Sequence, residues 1–167
     1  MSGAGVKILA DSVLARLKGM EERGGNLTGF NRHFGGYMKG SIDRNFTAQG
    51  RPAPWAPLKA STMAGFMYSR KSFWNKRKKD GGRTLSKKGR EAKAGRLLLV
   101  DKGLMRNSFF SIAGARSIIM ASNDPKLKYH VFGTKFMAAR NPLLFQAEDV
   151  DYYGRGVTEF ILTGRIV

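Results

Sequence analysis

The residues predict an α+β chain, helical at its N-terminal end and built of short antiparallel strands farther on. Three observations carry this reading. Apolar residues recur at helical spacing from Val13 to Phe46, two short strand-like runs flank Gly114, and a proline-rich strap from Gly50 to Leu58 divides the two patterns. The strap, Gly-Arg-Pro-Ala-Pro-Trp-Ala-Pro-Leu, holds three of the chain's five prolines. Each proline sets φ near about −65° and removes a backbone donor, so the strap is a stiff, extended connector rather than helix or central strand. Trp55, between Pro54 and Pro57, is a large apolar body on a rigid tether. It either anchors the strap to its own domain or makes a contact between subunits.

Taken in order, Asp11-Ser12 offers an N-cap for a first helix reaching about Arg23, with Val13, Leu14, Leu17 and Met20 on one stripe and Gly24-Gly25 as its stop. From Leu27 to Phe46 a second stripe, Phe30, Phe34, Met38, Ile42 and Phe46, repeats every four residues and reads as core. Gly35-Gly36 within it predicts a kink or close packing, since each glycine weakens a helix by about 1 kcal/mol relative to alanine. After the strap, Ser61-Thr62 predicts the cap of a third helix with Met63, Phe66, Met67, Phe73 and Trp74 as its apolar positions. Asn75 to Gly82 is loop by composition, and Arg70 to Arg96 as a whole reads as a long basic loop excursion. Leu97 to Val100 is a buried apolar run, and Asp101 to Ser108 a turn leading into about one helical turn. Phe109 to Ala113 and Ser117 to Ser122 predict a hairpin, followed by a turn at Asn123-Asp124-Pro125. Lys128 to Phe132, ending at Gly133, fits helix or strand, and Ala138 to Leu144 is extended around Asn141-Pro142. At the end, Glu148-Asp149 suits a helix start with Val150, Tyr153, Val157, Ile161 and Leu162 on one face. Gly154 and Gly156 oppose that helix and Thr158 to Val167 alternates like a strand, so both forms stay open there.

A chain of 167 residues, 42% hydrophobic and 11% aromatic, suits a single folded domain, with 70–96 as an arm inserted in it. Without cysteine it has neither disulfides nor thiolate metal sites. The N-terminus lacks a secretory signal and no apolar run approaches the roughly 20 residues that span a bilayer, so a soluble, cytoplasmically made protein is expected, with no membrane partner. Charge is the unusual quantity: 30 Lys and Arg against 12 Asp and Glu give +18. Arg70 to Arg96 contains twelve basic residues against Asp80 and Glu91, a balance of +10. Such a block repels itself unless something anionic meets it.

The order of landmarks resembles the phage virion morphogenesis family, the small tail-completion and head-to-tail proteins of tailed bacteriophages. The matching positions are Gly50, Pro54, Trp55, Pro57 and Leu58; Gly103, Leu104 and Ser108; Tyr129, His130 and Gly133; and Arg140, Pro142 and Leu143. The chain departs from the pattern where Ala53-Pro54 lengthens the tryptophan segment, where Lys102 replaces a threonine, and where Asn141 parts Arg140 from Pro142. The resemblance implies a small protomer with a twisted antiparallel sheet packed with helices, assembling as a hexameric ring at the tail end or in the neck of a virion put together in the host cytoplasm. It implies other tail, neck or connector proteins as partners, and Trp55, Pro57, Leu58 and Arg140 as assembly contacts. A heterologous interface repeated about one axis closes into such a ring.

For chemistry the chain offers little: His33 and His130 are its two histidines, and Glu148, Asp149 and Asp151 its acidic cluster. His33 reads as a surface or capping residue and His130 as a structural hydrogen-bonder. The acids read as a solvated helix start or a contact for another subunit's basic face, since a Mg²⁺ site needs a second cluster. The phosphate-cradling Gly-x-x-x-x-Gly-Lys-Ser/Thr pattern is absent from the sequence. No enzymatic activity, cofactor or metal is therefore expected. The alternative from another class is sequence-independent nucleic-acid binding. Arg70, Lys71, Lys76, Arg77, Lys78, Lys79, Arg83, Lys87, Lys88 and Arg90 would contact phosphates of packaged or other DNA, with Phe73 and Trp74 as a stacking platform. The same cations would equally meet an acidic partner. A ribosomal or chromatin-like basic protein fits the pI of about 10.7 but not the proline–tryptophan strap.

Overall fold

Helix α1 (Asp11–Gly25) runs through the two glycines expected to stop it, and the chain turns helical again as α2 (Thr28–Thr47). There follow α3 (Ala60–Tyr68), a 3₁₀ turn (Lys71–Phe73), α4 (Lys87–Ala94), strands β1 (Phe109–Ala113) and β2 (Ile118–Ser122), α5 (Leu127–Phe132) and α6 (Ala147–Thr163). This computed structural model describes residues 11–75, 79, 81–100 and 103–166. The mixture is α+β, with a sheet of only two strands, β1 paired to β2 as a hairpin. Two compact units divide the chain: the first takes the N-terminal part to Ser41, Phe109–Ala121 and the segment from Phe145, and the second takes Ile42–Ser108 and Ser122–Leu144. Among the described residues no helix is long and apolar enough to cross a membrane.

In the first unit the predicted stripe is the core. Phe30, Phe34 and Met38 are buried, packed against Tyr37, Ile118, Met120, Tyr152, Tyr153, Val157 and Phe160. α2 runs unbroken through Gly35, which lets it lie close to the hairpin, because a Cβ there would stand 2.2 Å from Ser111 Oγ. Of the two forms left open at the end, helix holds as α6 through Thr163, and Gly156, counted against a helix, is buried in its packed face. A Cβ at Gly156 would stand 2.7 Å from Phe30 Cε2, so the glycine sets how closely α6 approaches α2. Asp149 is fully buried, contrary to the solvated start expected of it: its Oδ2 accepts from Ser41 Oγ at 2.9 Å and from the Gln146 backbone N–H at 2.9 Å. The α1 stripe also departs from expectation, with Val13, Leu14 and Leu17 more than half exposed. What holds α1 is Arg23, whose Nε donates to Ile161 O at 2.8 Å.

In the second unit Phe46, buried at the end of α2, meets the ring of Trp55 edge-on at 5.6 Å. The strap turns at Gly50, whose φ of +115° suits glycine alone and whose Cβ, if present, would lie 2.6 Å from Trp55 N. Helix α3 starts after Lys59 without a side-chain cap and ends at Tyr68, shorter than the run to Trp74 expected from Ser61-Thr62. Lys128 to Phe132 resolves to helix, as α5. Leu97 is exposed and Leu98 to Val100 only half-buried, so that run lines a cavity rather than filling a core.

Candidate functional site

Arg140 is the residue around which the sequence landmarks gather. It is 4% exposed, and its Nε donates to Ala56 O at 2.7 Å while an Nη donates to Pro57 O at 2.9 Å. Its backbone N–H donates to His130 O at 2.6 Å. The guanidinium thus clamps the strap through neutral carbonyls, and burial pulls its pKa below the usual arginine range. Trp55 is half-buried, its ring on Phe46 and its backbone N–H donating to Gln49 O at 2.7 Å, so it anchors the strap within the chain. Of the four expected assembly contacts, Trp55, Leu58 and Arg140 face inward to this degree and Pro57 is exposed.

Beside the clamp lies a cavity of about 270 Å³. Leu58, Leu97 to Val100, Leu104, Met105 and Met137 make its apolar wall, and Arg96, Asp124, Lys126, His130 and Arg140 its polar one. His130 Nδ1 and Arg96 Nε are both buried without a hydrogen-bond partner. Burial lowers the His130 pKa, Arg140 and Lys126 lower it further, and Asp124 opposes them. Leu99 holds a left-handed φ of +61° in the wall, a conformation that costs a non-glycine residue about 1–3 kcal/mol. Sequence reasoning placed Leu58, Leu104, His130 and Arg140 among its landmarks but did not bring them to one place, and it counted Arg96 only as part of the basic block. No family model, characterised protein or solved structure matches this chain.

The basic segment is the second candidate, and among its described residues Lys71–Phe73 and Lys87–Ala94 form a 3₁₀ turn and a helix. Phe73 is buried, Phe66 packs on it at 5.7 Å, and Trp74 stacks on Tyr68 at 5.0 Å while its Nε1 donates to Met67 O at 2.9 Å. Trp74 and Leu85 form an isolated antiparallel bridge, and Ser86 caps α4 by accepting from Gly89 N. These aromatics tie the segment to α3, and burial takes Phe73 out of the expected stacking platform while Trp74 stays half-buried. Arg70 lies over the Phe66 and Phe73 rings, 5.0 and 5.5 Å from their centroids. Arg70, Lys71, Lys79, Arg83, Lys87, Lys88 and Arg90 are all exposed, whereas Lys76, Arg77 and Lys78 lie outside the described residues. Lys87 and Lys88 occupy the first turn of α4, the positive end of the helix dipole, where each costs about 0.3–1 kcal/mol.

The two histidines and the acidic cluster of the sequence lie apart in their partners and exposure. His33 Nε2 lies 3.0 Å from Tyr152 OH on the first unit's surface. Asp149 is committed to Ser41 and Gln146, apart from Glu148 and Asp151 in exposure. Among the described residues no three His, Asp or Glu side chains gather as a metal site.

Proposed function

We propose that this chain is a structural protein of a tailed bacteriophage, a protomer that completes or terminates the tail or joins it to the head by assembling as a ring around the DNA path. The observation that carries the reading is apolar surface. Sixteen large hydrophobic residues among the described ones are exposed, from 44% at Leu97 to 83% at Phe132, against nine that form the buried core. Apolar surface left exposed in this way is what neighbours in an assembly would cover. A second support is the order of the strap, the hairpin and the Arg140 segment, which resembles the virion morphogenesis family. The experiment is light scattering and negative-stain imaging of the purified protein: a closed ring, expected to hold six copies, supports the proposal. A monomer at virion-like concentration with its partner proteins present overturns it.

A second reading, sequence-independent nucleic-acid binding, is favoured by the lysines at the start of α4. Both lysines are exposed, and together with the amide dipoles of that helix end they present positive potential that phosphate oxygens would meet. With Phe73 buried, binding would rest on phosphate contacts alone. Affinity for random duplex DNA would then fall steeply with salt, and Lys87→Glu with Lys88→Glu would reduce the log–log slope by about 2. Acidic side chains suit that helix end, so the variant keeps its fold. No binding at low salt would leave protein partners as the use of the charge.

A further inference from the structure

We infer that the cavity beside Arg140 is a binding site for a small monocarboxylate carried on an apolar body. The inference goes beyond the assembly role and does not rest on it.

Two unsatisfied groups face the same problem there. Arg96 Nε and His130 Nδ1 are buried without partners, and both residues line the one cavity. A buried donor left unpaired costs free energy that a suitably placed acceptor restores. Arg140, 4% exposed in the same wall, carries its charge against carbonyl oxygens only, so its positive field is uncompensated. Lys126 adds a third cation, and among the described residues Asp124 is the one acid lining the space, its Oδ1 already accepting the Lys126 backbone N–H at 2.9 Å. The polar side therefore calls for an acceptor bearing negative charge.

The remaining wall decides what carries that charge. Leucines 97 to 99, Val100, Met105 and Met137 are hydrocarbon or thioether, and a bare inorganic anion would leave them wet. About 270 Å³ is small for a ligand site and admits a short body rather than a nucleotide. A carboxylate accepts from Arg96 Nε–H and from neutral His130 donating at Nδ1, while its apolar body displaces water from the leucine and methionine wall. Arg96 itself is held in place from outside the cavity, its guanidinium lying 3.6 Å from the centroid of the Phe66 ring. The site is thus built before a ligand arrives.

Isothermal titration of the full chain with octanoate tests this, with octanol as the uncharged counterpart and acetate as the counterpart without an apolar body. Saturable binding of octanoate at least about tenfold tighter than either is expected, together with a loss of about tenfold in Arg96→Gln. N-acetyl-leucine against N-acetyl-leucinamide distinguishes a chain terminus from an aliphatic acid: preference for the acid of either pair supports the site and identifies its source. Equal binding of octanoate and octanol, or no saturable octanoate binding at millimolar concentration, overturns the inference. Should Arg96→Gln fail to fold, the contrast between octanoate and octanol on the unaltered chain decides alone.

Discussion

His130 shows how a single side chain reports on its surroundings. Its pKa lies below the 6.5 of an unperturbed imidazole because burial disfavours the cation, and Arg140 and Lys126 outweigh Asp124 in the same direction. The unfolded chain therefore takes up the proton at higher pH than the folded one. Stability from this group is full above the unfolded value and falls as pH drops through 6.5 toward the folded value. The Tm is expected to decrease on acidification across that window, and His130→Gln should flatten the decrease. Equal slopes in the two proteins would place the titrating group elsewhere. Arg140 was legible as a landmark in the sequence, but its role was not: nothing local to Ala139-Arg140-Asn141 shows that the donors end on Ala56 and Pro57, more than eighty residues away.

At the scale of elements, close approach matters more than propensity. Gly89 lies in α4 where a Cβ would stand 2.2 Å from Phe73 O, so α4 rests directly on the backbone of the 3₁₀ turn. Gly89→Val should cost about 1–3 kcal/mol of local stability by overpacking. Limited proteolysis would read it as faster cleavage within 70–96, with the α2–α6 aromatic core left intact. Cleavage no faster than in the unaltered chain would mean that α4 does not need this contact. The same geometry bears on two expectations. Lysine and glycine content suggested an excursion over Arg70 to Arg96 and glycines opposed α6; at Gly89 and Gly156 the missing Cβ is what lets one element lie against another.

Over the whole molecule, exposed apolar surface and positive charge set the behaviour. Phe132 and Phe136 are 83% and 74% exposed, close in sequence and accompanied by Lys128 and Lys135. If neighbours cover them in a ring, Phe132→Ser with Phe136→Ser should lower the oligomer toward monomer by light scattering. The Tm of the monomer should hold, because exposed substitutions usually change stability by no more than about 0.5 kcal/mol. A ring of unchanged mass in that variant would exclude these two residues from the interface.

Periodicity alone determined α2, with every residue of its four-spaced apolar stripe buried, and alternation between turn signals determined the hairpin. Both depend on neighbours a few residues apart, which is the range over which backbone period and side-chain type are coupled. Tertiary structure alone decided that Asp149 is buried, that α6 is one helix, that the basic segment folds around Phe73, and that Leu58, Leu104, His130 and Arg140 meet at one cavity. Each of these rests on a partner distant in the chain, and burial by a distant partner changes what a charge, a glycine or an aromatic ring does without leaving a mark on the residues beside it.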